Sequence, residues 1–140
     1  ARMPLSRQVG EPSAVIESRI LAHDPGYGLS YLDLEGHRLS VSLRDAQLGE
    51  TVRVRVPARD VAISVHRIEG SSMLNTLPAT IIGIEPFPDG VRMLVHLQCG
   101  RSSLLAKITR KSFELLGLRE GMSVFAQVKT VSLLQDDQLG

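Results

Sequence analysis

Apolar and polar residues alternate along most of this chain with a period of two. "TVRVRVP" puts Val52, Val54 and Val56 on one face and Arg53 and Arg55 on the other. "VRMLVHLQCG" lines up Val91, Met93, Val95 and Leu97, and "MSVFAQVKTVSLL" sets Val124, Ala126 and Val128 opposite Phe125, Gln127 and Lys129. A pleated backbone sends successive side chains to opposite faces, so this alternation marks strands buried on one side. It predicts strands near 13–23, 27–35, 38–44, 51–57, 60–67, 77–86, 91–99, 101–108 and 122–133. Turn-forming stretches separate them: "DPGYG", "LEGH", "LGE", "FPDG", "QCGR" and "REG".

One segment departs from this period. In "ITRKSFELLGLREG", Thr109 is placed as an N-cap, Phe113 and Leu116 share a helical face, and Gly117 suits a left-handed closing residue with Leu118 in contact beyond it. The spacing predicts a helix of about two turns.

The strand order repeats weakly. "AVIESRILAH" and "ATIIGIEPFP" each open a half; a turn, a second strand and a third strand follow, then a glycine turn and a final strand pair. The second half alone carries the helix. The pattern predicts a mainly β protein of two tandem OB-like five-stranded barrels. The boundaries expected are a linker over 1–12, a first barrel over 13–67, a second over 68–135 and a disordered tail over 136–140.

Composition narrows the functional classes. In 140 residues there are 16 Lys+Arg against 15 Asp+Glu, a formal charge of +1, with no Trp and five other aromatic residues. A nucleic-acid binder would need a basic excess and stacking aromatics, so none is expected as a partner. The single Cys99 allows no internal disulfide and reads as a packed, inert thiol. No apolar run approaches the ~20 residues that span a bilayer. The four His show no ligand-like spacing, so no metal is expected, and no nucleophile motif points to catalysis.

The second half resembles the molybdate-binding Mop/TOBE domain. The resemblance is carried by "SSMLN" and by "GRSSLLAKITRKSFELLGLREGMSVFAQVKTVSL", with its order I-T-x-x-S, L-G-L-x-x-G, V-x-A-x-x-K. "VRVPARDVAI" resembles the phrase that leads into this module in ABC importer ATPases. Together with the linker-like start, the chain is similar to the C-terminal regulatory region of the ATP-binding subunit of a molybdate importer. The resemblance implies a homodimer, with molybdate or tungstate held at a subunit interface. It also implies an ATPase domain upstream that takes ATP and Mg, transporter membrane subunits as partners of the parent protein, and a cytoplasmic place at the inner face of the cell membrane. No Walker A pattern occurs in the chain, so ATP hydrolysis is not expected of it.

An oxyanion site needs hydrogen-bond donors and cations with few carboxylates. Ser71, Ser72 and Asn75 are the first candidate donors; the family's S-A-R-N loop maps onto Ser72, Met73, Leu74 and Asn75, so the resemblance implies Ser72 and Asn75, with Leu74 standing where a guanidinium is usual. The alternative for Asn75 is a bond within its own turn. Lys129 and Thr130 match the family's K-[S/A/T] and complete the expected set. Thr109 and Ser112 are candidates for a second oxyanion site, with plain helix capping as the alternative. Two other functions stay open: a free-standing molybdate storage protein, and a structural dimer clamp that has lost the anion. Residues 13–67 lack both the S-x-x-N loop and the I-T-x-x-S segment, which counts against storage modules in tandem.

Overall fold

A computed structural model describes residues 11–129 and 133–134. Ten strands and one α-helix follow in order: β1 (Ser13–Asp24), β2 (Leu29–Leu34), β3 (His37–Ser42), β4 (Thr51–Pro57), β5 (Val61–Ser64), β6 (Asn75–Pro86), β7 (Arg92–Cys99), β8 (Ser102–Thr109), α1 (Arg110–Leu116), β9 (Ser123–Val128) and β10 (Leu133–Leu134). They form two five-stranded sheets, ordered β10-β4-β1-β2-β3 and β5-β9-β6-β7-β8. The expected pair of five-stranded units is present, all its strand pairings antiparallel.

Two details differ from the sequence reading. The segment read as one strand over 122–133 is β9 followed by a separate β10. The strand read at 60–67 is shorter and lies in the other sheet: β5, from the first half, pairs with β9, while β10, from the second half, pairs with β4. Each half donates its last strand to its neighbour. Period-two alternation fixes which face of a strand is buried, not which strand it pairs with, so the exchange leaves no mark in the sequence.

The apolar faces meet in one continuous core. Val52, Val54 and Val56 pack with Leu32, Leu39, Ile81, Leu97, Leu104 and Val128 in a single cluster that draws on both sheets. Burying such a side chain contributes about 1.5–3 kcal/mol. The buried amide of Gln127 is paired at both ends. The Gln127 Oε1 accepts from Thr76 at 2.8 Å, and its Nε2 donates to Ser64 Oγ at 3.1 Å, so one buried amide ties β6, β9 and β5 together.

The helix forms as its sequence predicts. The Thr109 hydroxyl accepts from the Ser112 N–H at 3.0 Å, and Gly117 closes α1 in the left-handed region. Leu118 is buried behind it and donates its N–H to the Phe113 carbonyl at 3.3 Å. Phe113 packs on the core, whereas Leu116 stays exposed.

Candidate functional site

The loop Ser71–Leu74 leads into β6, and its residues go to different places. The Ser71 Oγ accepts the Met73 N–H at 3.0 Å, a local turn bond. Ser72 is exposed. Asn75 is fully buried, and its side chain acts as a short piece of strand: Oδ1 accepts from Ser40 N–H at 2.7 Å and Nδ2 donates to Ser40 carbonyl at 3.0 Å. Ser40 lies on β3, the edge of the other sheet, so Asn75 staples the two halves together. Its carboxamide oxygen and one amide donor are thereby committed to the backbone.

Met73 and Leu74 face separate cavities. Leu74 lines a largely apolar cleft of about 670 Å³ with Tyr27, Leu29, Tyr31, Arg38 and Ser40. The Arg38 guanidinium there lies 4.2 Å from the Tyr31 ring centroid. The Tyr31 hydroxyl donates to Asp24 at 3.0 Å; that hydrogen bond, foremost, raises its pKa.

Met73 borders a second, smaller depression of about 300 Å³, shared with Thr109, Ser112, Lys129, Lys107 and the turn Arg59–Asp60. The structure therefore brings Thr109 and Ser112 to Lys129, around one depression, and leaves Ser71, Ser72 and Asn75 outside its lining. Thr130 lies outside the described residues.

Strand exchange builds this depression. Val61 pairs with Val128, which sets Asp60 beside Lys129: the Lys129 N–H donates to the Asp60 carbonyl at 3.2 Å. The 3-10 turn Ala58–Asp60 also packs on β8, the strand that ends at Thr109. The chemistry suits an anion. Three basic residues, Arg59, Lys107 and Lys129, line the depression together with one acidic residue, Asp60. Lys107 is already paired with Glu11 and its ammonium lies 5.3 Å from the Phe87 ring centroid. Neither Arg59 nor Lys129 has a side-chain partner among the described residues. The Thr109 hydroxyl donates to Ser112 Oγ at 3.0 Å, which leaves the Ser112 O–H as the outward donor of the pair.

Arg59 and Asp60 are the lining residues that sequence reading missed. They belong to the first half, far in sequence from Thr109 and Lys129, and no local motif signals the contact. Among the described residues, no three His, Cys, Asp or Glu come together as metal ligands, and no helix is long and apolar enough to cross a membrane.

Comparison with known proteins agrees with this architecture. The TOBE domain family matches residues 71–135. A molybdenum import ATP-binding protein ModC of Rhodobacter capsulatus is 42% identical over 91% of this chain, and one of Mesorhizobium japonicum is 42% identical over 88% of it. The chain spans about a third of the length of these relatives, 36% and 33%. A crystal structure of the cytoplasmic molybdate-binding protein ModG, with molybdate bound, superposes with a TM-score of 0.73 at 21% identity, covering 86% of this chain and 92% of that one. That likeness gives the fold, a tandem OB-type barrel. Residues 71–135 thus carry a TOBE domain, and the chain is similar over most of its own length to part of the molybdenum import ATP-binding proteins.

Proposed function

We propose that this chain is the regulatory and dimerisation domain of a molybdate importer's ATP-binding subunit, and that it senses intracellular molybdate or tungstate by binding it. The observation that carries this reading is the depression lined by the Thr109–Ser112 hydroxyl pair and by two cationic residues, Arg59 and Lys129, whose side chains have no partner among the described residues. A tetrahedral oxyanion is matched by such a set of hydroxyl and cationic donors. Thr109, Ser112 and Lys129 then act in one site rather than two, with Thr130 next along the chain.

In this reading the depression opens onto a second copy of the chain, and the anion is shared across a homodimer. The parent protein holds ATP and Mg in a domain upstream. It docks on the transporter's membrane subunits at the cytoplasmic face of the cell membrane.

Calorimetric titration with molybdate, with sulfate as control, tests the reading while light scattering follows the oligomeric state. Selective binding by a dimer is the expected result, and Lys129→Ala should weaken it by roughly tenfold or more without loss of fold. Unchanged affinity in that variant removes Lys129 from the site. A stable dimer that binds nothing supports instead a structural clamp, a reading favoured by Leu74, which lines the apolar cleft and not the depression.

A further inference from the structure

We infer that Arg59 supplies the guanidinium that Leu74 does not, so that the anion is held from both halves of the chain at once. This deepens the oxyanion-site reading above and rests on it.

Leu74 brings no charge to the loop, and its side chain lines the apolar cleft. The arginine that lines the depression is Arg59. Its backbone is held on both sides: Ala58 is fully buried and donates its N–H to the Pro12 carbonyl at 2.9 Å, and Val61 is buried and paired to Val128. The side chain between these anchors is exposed. A fixed backbone carrying a planar fork with no partner among the described residues suits two-point contact with adjacent oxygens of a tetrahedral anion. Lys107, the other cation on the β8 side, is neutralised by Glu11. Asp60 adds one negative charge to the rim, which makes a second strong cation beside Lys129 necessary for net attraction.

The arrangement has a consequence for the fold. Arg59 lies on the turn that delivers β5 into the second sheet, and Lys129 follows the strand that β5 pairs with. An anion between them ties the exchanged strand to its new partner, so binding and strand exchange support each other.

The test is titration of the 140-residue chain with molybdate, for the unaltered protein, Arg59→Gln, Arg59→Lys and Lys129→Ala, with urea midpoints as the folding control. Arg59→Gln should lower molybdate affinity roughly ten- to a hundredfold. Arg59→Lys should recover part of that loss, because it restores charge without the fork. Both should keep the unaltered urea midpoint in the absence of anion. Full affinity in Arg59→Gln, with a loss in Lys129→Ala, overturns the role of Arg59 and leaves the site itself standing. No molybdate binding by the unaltered chain overturns both. A shifted urea midpoint in Arg59→Gln, with no recovery in Arg59→Lys, makes the residue structural and also overturns the inference.

Discussion

The two halves of this molecule share one scaffold, strand for strand, but differ at the positions that line the depression. In the first half Ile20 pairs with Leu32 and Leu32 with Leu39; in the second Ile81 pairs with Leu97 and Leu97 with Leu104. Each opening strand carries a bulge directly after that isoleucine, leaving Leu21 and Ile82 exposed. Both halves then return through a glycine turn: the Gly49 N–H donates to the Ile20 carbonyl at 2.8 Å, and the Gly121 N–H to the Ile81 carbonyl at 2.7 Å.

Against this shared frame the differences are local. The pairing Ala14 with Val56 matches Asn75 with Val128, so Pro57 stands where the second half has Lys129. Arg44 stands where the second half has Thr109, and its N–H is held by Ser30 Oγ at 2.9 Å. The first half closes its loop by His23, whose ring bonds Ser30 Oγ at 2.8 Å and the Ala46 carbonyl at 2.6 Å. The second half inserts the seven-residue α1 there instead. The scaffold is thus used twice, and the hydroxyl pair and lysine are mounted once. The first half contributes through the turn before its exchanged strand, which brings Arg59 to the other half's depression.

The sharpest way to break the comparison is to ask whether the halves are separable. Leu39 and Leu104 are equivalent and both buried to within 1% exposure, so Leu39→Ala and Leu104→Ala should each cost about 2–5 kcal/mol. Because each sheet contains a strand of the other half, both variants should unfold in one urea transition with the same shape by circular dichroism and fluorescence-dye binding. Two resolved transitions would mean that the halves fold independently and that the exchanged strands add little.

Asn75 marks an asymmetry, since Ala14 occupies its place in the first half. Asn75→Ala leaves the Ser40 N–H and carbonyl without their buried partner, at a cost of about 2–4 kcal/mol in urea unfolding. Ala14→Asn should not reproduce that stabilisation. A loss below about 0.5 kcal/mol for Asn75→Ala would show that water replaces the staple.

The glycine turns provide an equality to test. Gly49 and Gly121 have φ of 84° and 87°, and an added Cβ would meet no atom within 4 Å at either. The cost of alanine is therefore backbone strain alone, about 1–2 kcal/mol, and should be equal at the two sites. Unequal values measured by thermal melting would reveal a difference in how the two loops relax.

The smallest expected effect is a chemical one. Cys99 stands where the first half has Leu34, and it packs in the same way, at 4% exposure. Burial foremost, with Glu35 nearby, raises its thiol to about 11. A folded-state value above the unfolded ~8.5 means that this group's contribution to stability is intact below about pH 8.5 and is lost as pH rises through about 11. At pH 8, iodoacetamide should modify Cys99 roughly a hundredfold more slowly in the folded chain than in urea. Comparable rates would show that this end of β7 opens readily.

The sequence by itself determined what is local. Alternation marked the strands, because a pleated backbone imposes it wherever one face is buried. Thr109 and Gly117 marked both ends of α1, because a helix must satisfy its terminal N–H and carbonyl groups. The I-T-x-x-S and V-x-A-x-x-K order marked the family. Tertiary structure decided the rest. Which strand completes which sheet depends on pairings between distant segments, and alternation is the same for either partner. The exchange of β5 and β10 was therefore invisible, and with it the meeting of Arg59 with Lys129 and Thr109. Asn75 carried the same ambiguity: its place in the loop looked like that of a ligand donor, and only the arrival of the β3 edge beside it made it a staple.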